Sequence, residues 1–526
     1  MQRSEMVRQL RERSEPWDVA VIGGGATGLG AALDAASRGY DVCLFERSDF
    51  AKGTSSRSTK LVHGGVRYLQ QGNVSLVMEA LRERGRMLKN APHVVSDLAF
   101  IVPSYSWWES PWYGIGLKVY DTLAGRYGFG KSSHLSKEKV REAIPSISTE
   151  GLRGGTRYFD GQFDDARLAV NLAQTASDQG ATVLNYAGVT GLIKDGDGLV
   201  SGLEALDSES GETLRVDARA VINATGPFTD EVRHMDDATL RPVIKPSRGV
   251  HIVLERSFLP GDSAIMVPHT SDGRVMFAIP WQGVALIGTT DTPMESVDEE
   301  PRSSEEEIDF ILETANRYLA KRATRGDIRS VFAGIRPLVQ EGGDGGTASI
   351  SRDHSILIDQ NSGLITIAGG KWTTYRRMAE EVIDQAAMLA DLEPRRCVTR
   401  ELPIRGYHRN SARFGALRRY GSDASQVRGL ITADASLGEQ LHPRLPIVGA
   451  EVVWACRAEM ARRVDDVLSR RSRSLLFDAA AAIEIARPVA ELMARELGRD
   501  ADWVDGETSS FEEMAAAYLP SGTTDH

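Results

Sequence analysis

The segment TSSRSTKLVHGGVRYLQQG, residues 54–72, sets Lys60, His63, Arg67 and Tyr68 around the Gly64–Gly65 pair. A cation, an imidazole and a phenol presented from a flexible joint can hold an anion and move a proton. Three further cations have a comparable setting: Arg336 in AGIRPL, Arg352 in SISRD and Lys371 in GGKWTTY. Each stands beside glycine or at the end of an apolar run, where a side chain can emerge into a cleft. His251, in SRGVHIVLE, begins another strand-like run and is a second candidate proton acceptor. An arginine taken at random from 62 Lys plus Arg is usually solvated or ion-paired, and Asp353 could simply pair with Arg352. These groups gain meaning only from the elements that carry them.

The first such element is WDVAVIGGGATGLGAALDAASRGYDVCLFE, which reads as strand, glycine turn, helix and strand. Gly23, Gly25 and Gly28 form GxGxxG after the apolar run Val19 to Ile22. The first glycine permits the tight turn, the second admits a pyrophosphate to the backbone N–H groups, and the third lets helix and strand pack closely. Gly39 sits where a left-handed cap would end the helix. Glu46 closes the second strand, placed to accept hydrogen bonds from a ribose. The whole unit predicts dinucleotide binding. Two later segments favour FAD over NAD: ARAVINATGPFTD, with Ala224 and Gly226, and ITIAGGKWTTYRRMAEEVIDQAA, a glycine turn opening a helix near Thr373. No second GxGxxG is present to hold NADPH.

Composition narrows the class. The chain has 526 residues, enough for two or three domains, with 41% hydrophobic and 26% charged residues. A net charge of −11 argues against nucleic acid as the main partner. Cys43, Cys397 and Cys456 lack CxxC spacing, which suggests a reducing compartment and neither disulfides nor a zinc site. The charged N-terminus is expected not to be a signal peptide, and no run approaches the ~18 apolar residues of a membrane span. No metal site is expected, since SHLSKEK and RDHS lack ligand spacing.

With these stretches assembled, the chain resembles the FAD-dependent, quinone-linked glycerol-3-phosphate dehydrogenases. The resemblance is carried in order by IGGGATGLGAALDAASRG, TSSRSTKLVHGGVRYLQ, YFDGQFDDARL, NATGPFTD, AIPWQGVALIGTTD, FAGIRPLV, SISRDHSI and GGKWTTYR. It implies oxidation of sn-glycerol 3-phosphate to dihydroxyacetone phosphate by hydride transfer from C2 to flavin N5, with electrons passed to a membrane quinone. It implies a discontinuous α/β FAD domain of the Rossmann, glutathione-reductase-like type over 17–235 and 330–390. An antiparallel substrate subdomain would occupy 236–329, and a helical C-terminal domain 400–526. By family position Arg67, Tyr68, Arg336, Arg352 and Lys371 would line the substrate pocket. His63, His251 and Arg336 would be catalytic, with the choice of proton acceptor left open between the histidines. The FAD set would be Gly23, Gly25, Gly28, Glu46, Ser55, Ser56, Thr59, Lys60, Gly64, Gly65, Val189, Ala224, Gly226, Gly370 and Thr373. Within it Gly64 and Gly65 would let the main chain pass close to the flavin ring. A homodimer is expected, in the cytoplasm, with peripheral contact to the inner face of the membrane as an open alternative.

Other segments have two readings each. Trp107, Trp108, Trp112 and Tyr113 are either loop packing or a patch at lipid headgroup level. Arg462, Arg463, Arg470, Arg471 and Arg473 are either a solvated helix face or a surface for anionic lipid. Asp291 reads as a turn or helix cap, Asp164 as a helix cap, and the last fifteen residues as frayed. Rival functions are an oxidase reducing O2, a flavin dehydrogenase of another small hydroxy acid, and a non-catalytic flavoprotein.

Overall fold

The computed structural model describes residues 1–65, 73–106, 109–267, 270, 274–340 and 354–520. Its first sheet is built on the glycine-turn unit. Trp17–Ile22 pairs in parallel with Val42–Phe45 on one side and with the end of Glu212–Asn223 on the other. Thr182–Leu184 and Ile365–Gly369 extend the parallel set, and His354–Ile358 adds an antiparallel edge. Apart from Asp18 the strands Trp17–Ile22 and Val42–Phe45 are apolar and buried, as parallel strands between helical layers must be. The antiparallel strands Ala187–Lys194 and Val200–Asp207 pack onto the first half of Glu212–Asn223.

Helix Ala26–Ser37 owes its small residues to crowding. It is buried along nearly its whole length. A Cβ on Gly30 would meet the Tyr375 ring at 2.9 Å, so helix Tyr375–Leu389 crosses it at close range. A Cβ on Gly28 would run into the Gly23 carbonyl, the helix–strand contact expected of the third glycine. Gly39 takes φ +84° just past the helix end.

Among the described residues the second sheet has ten strands, and it reaches beyond the stretch expected to form the substrate subdomain. Ile244–Glu255, Ser263–Val267, Met276–Trp281 and Val284–Gly288 form the anticipated antiparallel set. The same sheet also takes in Leu61–Val62, Val95–Ser104, Ser133–Ser136 and Gly154–Phe163, and Ile328–Val339 pairs along almost the full length of Ile244–Glu255. These strands therefore share a sheet with the antiparallel set, because strand pairing follows backbone hydrogen bonds and ignores sequence proximity.

The C-terminal region is mainly helical, with a short Gln440–His442/Leu445–Val448 hairpin. It corrects two expectations. After helix Ala501–Ala516 a turn brings in Tyr518, which is buried and whose carbonyl accepts from Val331 N at 2.8 Å, so the chain is docked well into its last fifteen residues. Arg470, Arg471 and Arg473 form neither a solvated face nor a lipid surface: all three are buried among acidic partners. Arg462 and Arg463 pair with Glu209. Asp164 caps helix Asp165–Asp178 as expected, accepting from Arg167 N. Trp107 and Trp108 lie outside the described residues, as do the side chains of Trp112 and Tyr113. Among the described residues no helix is long and apolar enough to cross a membrane.

The Gly23–Gly28 contact yields a direct test. Gly28→Ala forces a methyl group against a backbone carbonyl, an overpacking cost of ~1–3 kcal/mol. Denaturant unfolding of the apo-protein should show that loss, and an unchanged midpoint would remove the constraint.

Candidate functional site

A cavity of about 420 Å³ lies where the two sheets meet, walled by both. The glycine turn supplies Gly23, Gly25 and Ala26, at the start of helix Ala26–Ser37. Gly23 takes φ +108°, and a Cβ there would meet the Ala224 carbonyl at 2.7 Å. Only glycine fits both constraints. Glu46 accepts from Gly24 N at 2.7 Å and Ser48 N at 2.9 Å, which fixes its carboxyl in the wall; burial pushes that carboxyl up from the ordinary range. Val189, Ala224 and Gly226 line the wall beside it.

The loop 53–60 crosses between the sheets. Its Thr54, Ser55, Arg57, Ser58 and Thr59 face the cavity. Ser55 Oγ accepts from Ala26 N at 2.9 Å, and Thr54 Oγ1 donates to Ile335 O at 2.5 Å, so the loop is tied to both sheets. The second glycine turn brings Gly370, Lys371 and Thr373, with Gly369 and Gly370 both left-handed. Trp372 Nε1 donates to Ser55 O at 2.9 Å, and Thr373 Oγ1 to His63 O at 3.4 Å.

The pairing of Ile244–Glu255 with Ile328–Val339 builds the opposing wall. Its register sets Ser247 against Arg336, Gly249 against Gly334 and His251 against Phe332. Side chains two residues apart on a strand share a face. The Arg336 guanidinium lies over Gly249, where a Cβ would come within 2.5 Å of it. It donates to Asp291 Oδ1 at 3.3 Å, Thr289 Oγ1 at 3.2 Å and Thr290 O at 3.1 Å. Asp291 also accepts from Ser247 Oγ, so its place is that of an arginine anchor and not of the turn cap expected. His251 is 2% exposed and stacks on Phe332 with centroids 4.8 Å apart. Its Nε2 shares a 2.9 Å hydrogen bond with Thr59 Oγ1, while Nδ1 is buried without a partner among the described residues. Burial, with Lys60 and Arg336 adding to it, holds this imidazole well below the usual histidine range, so the ring is neutral.

The structure thus brings Gly23, Gly25, Glu46, Ser55, Thr59, His63, Val189, Ala224, Gly226, His251, Arg336, Gly370, Lys371 and Thr373 to one cavity. Others stand elsewhere. Lys60 points away into the interior, donating to Asp165 Oδ2 at 2.7 Å and Ser56 O at 2.8 Å; burial lowers it to about 7. Ser56 turns its carbonyl to that same interior. A Cβ on Gly64 would strike Tyr120 and Leu81, so these neighbours by themselves require glycine there. Gly65, at φ +74°, makes a left-handed turn outside the wall. Gly28 acts beneath the turn. Arg67, Tyr68 and Arg352 lie outside the described residues. Sequence reasoning missed Gly249 and Asp291, although a glycine inside a strand signals close approach and pointed to the first.

Backbone N–H groups at a helix start, a fixed acid at the end of the second strand, and a second glycine-turned helix start are donors and acceptors that fit an extended dinucleotide. The comparisons agree. Residues 18–376 match the family described as FAD dependent oxidoreductase, and 365–503 match the C-terminal domain of alpha-glycerophosphate oxidase. The mitochondrial glycerol-3-phosphate dehydrogenase of Rattus norvegicus is 41% identical over 98% of this chain and 75% of its own length. The probable mitochondrial glycerol-3-phosphate dehydrogenase of Caenorhabditis elegans is 40% identical over 96% of this chain and 74% of its own. The glycerol-3-phosphate dehydrogenase from Bacillus halodurans complexed with FAD superposes with a TM-score of 0.80 at 30% identity, covering 99% of each chain. L-alpha-glycerophosphate oxidase from Mycoplasma pneumoniae shares the fold, with a TM-score of 0.57 at 18% identity over 74% of this chain and 98% of its own.

The buried imidazole makes stability depend on pH. Because the folded-state pKa of His251 is lowered, the unfolded chain binds a proton near pH ~6.5 that the native state does not, and stability falls as pH drops below that value. His251→Gln removes this contribution. Between pH ~5 and ~6.5 the unfolding free energy of the variant apo-protein should fall less steeply than that of the wild type. Equal slopes would show that the native state takes up the proton too.

Proposed function

The chain belongs to the glycerol-3-phosphate dehydrogenases among the FAD-dependent oxidoreductases, and we propose from that membership that it oxidises sn-glycerol 3-phosphate at C2 to dihydroxyacetone phosphate. The observation that carries the reading is the shared cavity: Arg336, Lys371 and the neutral His251 line the space that Glu46 and the first glycine turn also line. The Gly25 N–H at the start of helix Ala26–Ser37 would hold the cofactor pyrophosphate, and Glu46 its ribose. Bound FAD supplies the acceptor for the hydride leaving C2. Arg336 and Lys371 hold the substrate phosphate, a fork and a point charge on one dianion. His251 takes the proton from the C2 hydroxyl oxygen, so that the C=O bond can form as the C2 hydrogen leaves as hydride. A neutral imidazole can accept that proton, which a charged one cannot. His63 lines the same cavity and is the alternative acceptor.

The electrons are proposed to pass to a membrane quinone, the protein meeting the bilayer from the cytoplasmic side as a homodimer. The relatives' names, dehydrogenase and not oxidase, speak for an acceptor other than O2. The oxidase named for residues 365–503 supports the second reading, in which O2 is the acceptor.

Anaerobic stopped-flow mixing of the holoenzyme with glycerol 3-phosphate should bleach the flavin within one turnover, and lactate and 2-hydroxyglutarate should not. Bleaching by a hydroxy acid alone, or by no substrate, would overturn the assignment; stoichiometric peroxide on readmitting air would establish the oxidase. Arg336→Ala should raise KM by about tenfold or more, since a charged hydrogen bond is worth ~1.5–3 kcal/mol. Unaltered kinetics would take Arg336 out of the phosphate site.

A further inference from the structure

The loop 53–60 forms one wall of the flavin cavity yet contains only one short helical turn, Thr54–Ser56. Its far side meets a cluster of buried charges. Asp165 Oδ2 accepts from Ser58 N at 3.1 Å, Ser58 Oγ at 2.7 Å and Lys60 Nζ at 2.7 Å. Its other oxygen, Oδ1, accepts from Arg473 Nη2 at 3.0 Å, and the same arginine nitrogen donates to Ser56 O at 2.8 Å. Arg473 comes from the C-terminal domain, more than four hundred residues along the chain. Its side chain is 1% exposed. Lys60 at φ +63° and Arg473 at φ +66° both sit in the left-handed region, a cost borne by non-glycine residues only where surroundings fix them.

The preceding residues grip the adjoining segment. Arg470 Nε donates to Asp49 Oδ2 at 2.5 Å; Arg471 Nη1 donates to the same oxygen at 2.5 Å, and its Nη2 to Oδ1 at 2.8 Å. Asp49 is 0% exposed and lies between Glu46 and Ala51, both in the cavity wall. Arg470, Arg471 and Arg473 therefore hold, from behind, the two successive stretches that face the cavity.

We infer that Arg473 is a positioning residue for FAD binding and for the reaction: it fixes the backbone of Ser56 and, through Asp165, that of Ser58, so that Ser55 and Thr59 meet the cavity and Thr59 keeps its hydrogen bond to His251. The C-terminal domain is then part of the flavin site without touching it. The cofactor-binding part of this inference is independent of the substrate reading; its kinetic part rests on that reading.

The test is a titration of apo-protein with FAD, followed by the visible flavin spectrum and the steady-state kinetics. Arg473→Gln should weaken the FAD Kd by roughly tenfold or more, as loss of partners that orient a binding group does. It should also shift the flavin spectrum and lower kcat more than it raises KM. Arg473→Lys, which keeps the charge but reaches fewer acceptors, should lie between it and wild type. Arg405→Gln is the control: it breaks the pairs with Asp178 and Asp423 at the same domain's contact with helix Asp165–Asp178, away from the loop. It should lower Tm without changing Kd or spectrum. A folded Arg473→Gln with wild-type Kd and spectrum would overturn the inference. If Arg473→Gln does not fold, a folded Arg473→Lys with wild-type Kd, spectrum and kcat overturns it equally.

Discussion

The site depends on a buried carboxylate, Asp165, at the start of the helix that Asp164 caps. Its two oxygens gather a lysine, an arginine, a serine hydroxyl and two backbone N–H groups with almost no access to water. Buried ion pairs return little net stability, because desolvation consumes most of the attraction. Their effect is to make any other arrangement expensive: a displaced loop would leave a buried charge unpaired, a penalty of several kcal/mol. An irregular loop thereby acquires the definition of a strand.

Against that loop the antiparallel pair Ile244–Glu255 and Ile328–Val339 offers a second rigid surface. Strand periodicity places Ser247, Gly249 and His251 on one face, and the register adds Arg336 and Phe332 from the neighbour. One pairing thus fixes the arginine, the glycine that makes room for it, and the imidazole with its stacking partner. Thr59 joins the two surfaces through the His251 ring. The same construction keeps the ring neutral: burial dominates, and the charges of Lys60 and Arg336 act in the same direction.

The glycine-turn unit was legible in the sequence because its main constraints are local; Gly28 answers to Gly23 within the unit and Gly23 to the end of the strand beside it. Arg336, Lys371 and His251 were legible as candidates from their apolar and glycine settings and from the family resemblance. The strand pairing that brings Arg336 onto Gly249 is long-range, and no spacing encodes it. The extent of the second sheet was hidden for the same reason. Lys60 illustrates the limit most clearly. Its neighbours Ser55 and Thr59 do face the cavity, but a left-handed backbone at Lys60 turns its side chain inward, and the acid waiting there stands a hundred residues away. The arginines near 470 read as surface because their partners, Asp49 and Asp165, lie at the other end of the chain.

The central claim is that a strand-borne arginine and a lysine from the second glycine turn act on one phosphate in a single cavity. A double-mutant cycle on Arg336 and Lys371, read as the affinity of the oxidised holoenzyme for dihydroxyacetone phosphate, tests it most directly. Two cations on one dianion must couple, so the losses from Arg336→Ala and Lys371→Ala should depart from additivity by ~1 kcal/mol or more. Losses that add within ~0.3–0.5 kcal/mol, the behaviour of independent sites, would contradict it.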